Sequence, residues 1–193
     1  MKKDNALSLD DTALVEQALA GERKAFDSLI TRHMPHCYRI ARRYGLSPED
    51  AADIVQDTFM AAYQGLPTFN FAYQFSTWLT RILLNRLSNF RRGLRRAKNY
   101  FWRSQDKPIR SEFFEDLDST TPEDELQKLE LQTMLLRAIA KLPKRQRLVF
   151  ILFEMEEYKT KEIAAMLDIP EGTVTSRLHH ARLSLRKQLL DYL

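Results

Sequence analysis

The chain has 193 residues, 44% of them hydrophobic and 29% charged, enough for one large or two small packed domains. Its net charge is only +4, so any hold on nucleic acid must come from uneven placement of charge. Cys37 is the sole cysteine and the longest apolar run is 148–153, which excludes an internal disulfide and a membrane span and predicts a soluble, cytoplasmic protein.

In chain order, the pattern is helical. Asp10 or Asp11 can cap a short helix ending near Gly21. Residues 24–44 carry apolar side chains at Phe26, Leu29, Ile30, Cys37, Ile40 and Ala41, with Pro35 bending the helix and Gly45 ending it. Ser47-Pro48-Glu49-Asp50 is a helix start: a capping serine, proline at the first helical position, and acids against the positive end of the dipole. That helix should run to about Gln64 and close at Gly65. Residues 66–75 form an aromatic loop. Ser76 then caps a long basic helix reaching at least Arg92, with Leu79, Ile82, Leu83 and Leu87 as its core side and Gly93 weakening its continuation.

Charge then changes sign. Arg81 to Arg103 holds eight basic residues and no acid, whereas 104–125 holds eight carboxylates against Lys107 and Arg110. The acidic stretch contains Pro108, Pro122 and Ser119-Thr120-Thr121 and has no period, so it reads as a linker, or else as a surface loop within one domain. The expected organisation is all-α: a first helical domain over 1–98, an acidic linker over 99–123, and a second helical domain over 124–193.

In the second domain a helix runs from Asp124 to Leu142, and Pro143 at the first helical position opens another through about Glu156. Residues 148–153 alone could be a buried strand, but they have no hairpin partner nearby. Thr160 caps a short helix over 161–167, residues 168–170 turn the chain, and "PEGTVTSRLHHARLSLRKQL" follows. At ~100° per residue, Val174, Leu178, Ala181, Leu185 and Leu189 fall in one stripe. Ser176, His179, His180, Leu183 and Lys187 lie opposite, with Thr173, Thr175, Arg177, Arg182 and Arg186 between. No carboxylate occurs between Glu171 and Asp191. A solvated face is the bland reading; the missing acids point to an anionic partner. Two short helices joined by a tight turn, the second with this basic face, form a helix-turn-helix for a DNA major groove. The apolar stripe should dock on Ile163, Leu167 and the 148–153 segment.

These residues resemble a known family. "LPKRQRLVFILFEMEEYKTKEIAAMLDIPEGTVTSRLHHARLSLRK" resembles region 4 of bacterial RNA polymerase sigma factors of the extracytoplasmic-function type. "FDSLITRHMPHCYRIARRYGLSPEDAADIVQDTFMAAYQGLPTFNFAYQFSTWLTRILLNRLSNFRR" is similar to region 2 of the same group. The resemblance implies binding to core RNA polymerase, through the β′ clamp coiled coil and the β flap, and promoter recognition at −10 and −35. It implies that Asp50, Asp53, Gln56 and Asp57 meet the coiled coil. Melted −10 non-template strand would meet Phe69, Phe71, Tyr73, Phe75, Trp78, Arg81, Asn85, Arg91 and Arg92, with about half of the loop aromatics anchoring the loop instead. Duplex −35 DNA would meet Lys161, Thr173, Thr175, Ser176, Arg177, His179, His180 and Arg182. Arg182 is expected to hold a phosphate. An anti-sigma factor is the implied regulator. Asn89 stands where the family commonly has aspartate, and "FNFAYQ" replaces a loop richer in charge and glycine.

Other chemistries have weaker marks. His33, His36 and Cys37 at i, i+3 and i+4 could gather donors for a metal, but histidines near surface arginines are more often solvated and Cys37 suits an apolar face. There is no glycine-rich phosphate loop and no nucleophile turn, so no enzyme activity, cofactor or metal is expected. A dimeric helix-turn-helix regulator remains the rival reading; the aromatic loop on a basic helix argues for melted strand instead.

Overall fold

The computed structural model describes the backbone of residues 10–97 and 122–190, and the side chains of 10–89, 131 and 133–190. The expected linker lies outside the described residues, except that Pro122 and Glu123 already belong to a helix. Among the described residues every regular element is helical and none is a strand. They form two compact units.

The first unit is built on α1 (Asp11–Leu19), α2 (Arg23–Arg43), α3 (Pro48–Gly65) and α4 (Phe75–Ala97). Burial on α2 follows helical spacing through Phe26, Leu29, His33, Cys37, Ile40 and Ala41. Ile30, expected in the core, is only half-buried, while His33 is buried. On α3 the buried side is Ala51, Ile54, Val55, Thr58, Phe59 and Ala62, and the Thr58 hydroxyl donates to the Ile54 carbonyl (2.7 Å). The Ser47 hydroxyl accepts from the Asp50 amide (3.0 Å), satisfying one of the amides that a helix start leaves unpaired.

Several other details differ from expectation in this unit. Asp10 sits at the cap of α1 without a side-chain bond, and Asp11 points to α2 instead. Gly65 is the last residue of α3, as expected, but in right-handed rather than left-handed geometry, and it leads into one 3-10 turn, Leu66–Thr68. Helix α4 starts at Phe75 rather than after Ser76, and it passes Gly93 to reach Ala97. Its buried arc is wider than predicted. Thr80 and Leu84 are buried beside Leu79, Leu83 and Leu87, whereas Ile82 sits half-exposed at the rim.

The second unit is built on α5 (Pro122–Lys141), α6 (Lys144–Phe150), a π-helical turn (Ile151–Met155), α7 (Thr160–Leu167) and α8 (Glu171–Leu190). Pro143 is the cap of α6 rather than its first residue, its carbonyl accepting from the Gln146 and Arg147 amides (2.9 Å each). The 148–153 segment is helical, but its ladder widens after Phe150, with the Glu156 amide donating to the Ile151 carbonyl (3.1 Å). Arg147 is buried, and its Nη2 donates to the carbonyls of Ala140 and Leu142, which end α5. A cation thereby meets the negative end of a helix dipole. Helix α8 packs against α6 and α7 and touches α5. Its buried residues are Val174, Leu178, Ala181 and Leu185, facing Ile163 and Met166 of α7; Met166 is buried there while Leu167 is only half-buried.

The Ser47 cap sets a stability prediction. Ser47→Ala should lower unfolding stability by about 1 kcal/mol, and Ser47→Asp should restore most of it, since either oxygen accepts the Asp50 amide. Urea midpoints of the three proteins check this.

Candidate nucleic-acid interface

Helix α3 carries the first surface. Asp53, Gln56 and Asp57 are exposed and Asp50 half-exposed, all on the side opposite Ile54 and Phe59. Met60, one turn beyond Asp57, is 55% exposed on the same side. Sequence reading missed it because a methionine in an amphipathic helix is taken for core. The surface therefore offers acids around an apolar centre.

The aromatic loop divides into two pairs. Phe69 and Phe75 are 8% and 3% exposed, with rings 6.0 Å apart and Trp78 5.3 and 5.7 Å from them. Buried edge to face, these two rings have no free face for a base, which corrects their place among base-stacking candidates. Phe71 and Tyr73 are 48% and 58% exposed. An Asn70-centred turn holds them out: the Asn70 side chain accepts from the Ala72 amide (2.9 Å) and its carbonyl from the Tyr73 amide (3.1 Å). Trp78 is half-buried, and Arg81 and Asn85 continue the same exposed side of α4. Helix α4 carries Arg91 and Arg92 onward, but their side chains lie outside the described residues.

The helix-turn-helix comprises α7 and α8. Asp168 ends α7 in left-handed geometry (φ 52°, ψ 54°), tolerable for aspartate, and the Ile169 amide donates to the Ala164 carbonyl (3.1 Å). Thr160 is the first residue of α7, not its cap. Its hydroxyl donates to the Glu171 carboxylate (2.5 Å), tying the starts of the two helices together. The Glu162 carboxylate accepts from the Lys159 amide (2.8 Å). On α8, Thr175, Ser176, His179 and His180 are exposed, with Leu183 half-exposed on the same side, and Thr173 and Arg177 half-buried at its edge. Lys161 is exposed on α7. The Thr175 hydroxyl donates back to the Glu171 carbonyl (3.2 Å). Burial, and then the charge of Arg145 on α6, lower the pKa of the Arg177 guanidinium. Like charges held close favour an anion beside both, and Arg145 was not foreseen from the sequence.

Arg182 is not a free cation. Its Nε and Nη2 both donate to Glu154 Oε1 (2.8 and 2.6 Å), with the guanidinium 5.6 Å from the Phe153 ring centre. The π turn supplies both residues. A groove of about 440 Å³ opens between α5, α6 and α8, lined by Leu135, Phe150, Leu185 and Leu189. Of the possible metal donors, His33 Nε2 is engaged by Asp11 (2.7 Å), Arg39 donates to His36 Nδ1 (3.3 Å), and Cys37 is fully buried.

An aromatic loop on a basic helix in one unit, and a helix-turn-helix with an acid-free outer side in the other, define a DNA-binding protein with two separate reading heads. A family model described as sigma-70 region 2 matches residues 29–97, and one described as sigma-70 region 4 matches 132–185. The extracytoplasmic-function (ECF) RNA polymerase sigma-E factor of Haemophilus influenzae is 34% identical over 178 residues, spanning 92% of this chain and 94% of its own. SigM of Mycobacterium tuberculosis, another ECF sigma factor, is 34% identical over 183 residues, spanning 95% and 86%. Two solved structures share the fold. CnrH, in complex with the cytosolic domain of CnrY, gives a TM-score of 0.66 at 29% identity over 94% of this chain and 97% of that one. RpoE of Bartonella quintana, in complex with the anti-sigma factor NepR, gives 0.64 at 26% identity over 86% and 97%. The chain belongs to the sigma-70 family, in its extracytoplasmic-function group, and is a promoter-directing initiation factor whose partners are core RNA polymerase and promoter DNA.

The Glu154–Arg182 pair makes a test within this interface. Glu154→Gln should release Arg182 and steepen the salt dependence of binding to −35 duplex by about one phosphate contact. In an Arg182→Ala background the same change should have no such effect. Fluorescence anisotropy across a salt series, with the full chain, checks both.

Proposed function

We propose a residue-level division of labour for this initiation factor. Residues 1–98 bind core polymerase and the −10 element, 99–123 form an acidic linker through the polymerase, and 124–193 read the −35 element. The α3 surface of Asp50, Asp53, Gln56, Asp57 and Met60 docks on the β′ clamp coiled coil, acids meeting basic partners around an apolar contact. The groove between α5, α6 and α8 takes an apolar segment of the β flap, since its walls are mainly the hydrocarbon of Leu135, Phe150, Leu185, Leu189 and Leu190, with Arg182 and Arg186 also lining it. Phe71 and Tyr73 stack on bases of the melted non-template strand, with Trp78, Arg81, Asn85, Arg91 and Arg92 following that strand along α4. Phe69 and Phe75 hold the loop in place.

At −35, Ser176, His179 and His180 face base edges, Lys161, Thr173, Thr175, Arg177 and Arg145 hold phosphates, and Arg182 joins them once Glu154 lets go. The single observation that carries this reading is that α8 buries Val174, Leu178, Ala181 and Leu185 while its opposite side stays exposed and free of acids. The protein acts in the cytoplasm, performs no catalysis of its own, and is restrained by an anti-sigma factor, as RpoE is bound by NepR. Among the described residues no helix is long and apolar enough to cross a membrane, which suits a factor without membrane contact of its own.

Two experiments test it. Asp53→Arg with Asp57→Arg should abolish co-purification with core polymerase while leaving the circular dichroism spectrum unchanged; wild-type recovery would rule out this docking side. Ser176→Ala and His180→Ala should each change preference at particular −35 bases, by ~1–3 kcal/mol. A promoter library transcribed with each variant checks this, and a uniform loss of activity without altered preference would remove base reading from α8.

A further inference from the structure

The matched region 2 begins at residue 29, so α1 lies outside it. Its role is readable from its contacts. One carboxylate oxygen of Asp11 accepts from Arg32 Nη1 (2.5 Å), and the other pairs with His33 Nε2 (2.7 Å), 22 residues away. His33 is buried, and burial, the largest influence, lowers its pKa below 6.5 despite the nearby Asp11. A carboxylate can only accept, so the proton sits on Nε2 and points at Asp11.

The other side of that ring meets the loop. His33 lies 5.3 Å from Phe75, the residue that ends the loop and starts α4. Phe75 contacts Phe69 (6.0 Å), and Phe69 contacts the exposed Phe71 (5.1 Å). Helix α1 also packs against the 3-10 turn Leu66–Thr68, where the loop begins, with Leu14, Val15 and Leu66 all buried. One short helix therefore braces the loop at both ends, by apolar contact at its start and by a hydrogen-bonded histidine at its finish.

We infer that α1 belongs to the −10 reading head, with Asp11 and His33 as positioning residues that hold the base-facing loop through Phe75. The inference rests on the reading of Phe71 and Tyr73 as base contacts. Recognition of a flipped base depends on a surface already in place, because a ring that must first be ordered gives away the difference between the right base and the wrong one. A buried ring that touches Phe75 and is hydrogen-bonded to a carboxylate is restrained at two points. Loss of the carboxylate leaves the His33 N–H without its acceptor and lets the ring move, and Phe75 with it.

The test uses the full chain assembled with core polymerase. His33→Phe keeps a ring against Phe75 and loses the donor; His33→Gln keeps a donor near Nε2 and loses the ring; Asp11→Ala removes the acceptor. Phe71→Ala and Tyr73→Ala report on the base contacts directly, and Ile40→Ala is a core substitution two turns along α2 from His33. Each is transcribed from promoters carrying every base at each −10 position, with core affinity, −35 preference and melting temperature measured alongside. Asp11→Ala, His33→Phe and His33→Gln should reduce the ratio between best and worst −10 base by roughly tenfold, leaving core affinity and −35 preference unchanged. A preserved ratio in those three, with a reduced one in Phe71→Ala or Tyr73→Ala, overturns the brace and leaves the loop as reader. A preserved ratio in all five overturns both. An equal reduction in Ile40→Ala at matched melting temperature makes the effect general destabilisation and also overturns the brace.

Discussion

Helices α4 and α8 are held from one side only, and the rest of the molecule follows from that constraint. Helix α8 buries Val174, Leu178, Ala181 and Leu185, and α4 buries Phe75, Leu79, Leu83, Leu84 and Leu87. Each large aliphatic side chain so buried contributes about 1.5–3 kcal/mol. Like charges on the opposite side cost only ~0.2–0.5 kcal/mol per adjacent pair. Burial wins by a wide margin, so the exposed sides can stay basic with little neutralisation from within the chain, the Glu154–Arg182 pair on α8 being the exception among the described residues. The stability of each unit is carried by one surface, and the other is left to its partner.

The acids that lie near these helices serve as internal ties. Glu171 receives Thr160 across the helix-turn-helix, Glu162 receives the Lys159 amide, Glu154 clasps Arg182, and Asp11 joins α1 to α2. Asp53 and Asp57 differ: both are exposed on α3, and among the described residues neither has an ion-pair partner. The same residue type thus holds elements together when partly buried and stands ready for a partner when exposed.

Basic residues divide in the same way. Arg147, within the run Lys144-Arg145-Gln146-Arg147, closes the end of α5 from inside, while Arg145 stays exposed beside Arg177. In the loop, three phenylalanines and a tyrosine split into two that build a small core, Phe69 and Phe75, and two that face outward, Phe71 and Tyr73. The Asn70 turn decides which is which, since it fixes the direction of the chain between Phe69 and Phe75.

Much of the architecture was legible in the sequence alone. Helical periodicity and the Ser47-Pro48 start located α2, α3 and α8, the wheel of α8 named its buried stripe, and the two family blocks stood out in order. These features are local: a period or a cap is decided by residues within a turn or two of each other. Helix ends such as those at Pro143 and Thr160 shifted by a residue, and the misread side-chain roles depend on contact between distant residues. That Asp11 reaches His33, that Glu154 claims Arg182 from 28 positions away, and that Phe69 and Phe75 turn inward is set by how the helices pack. Periodicity tells a helix which side to bury, but only packing brings a particular carboxylate to a particular cation.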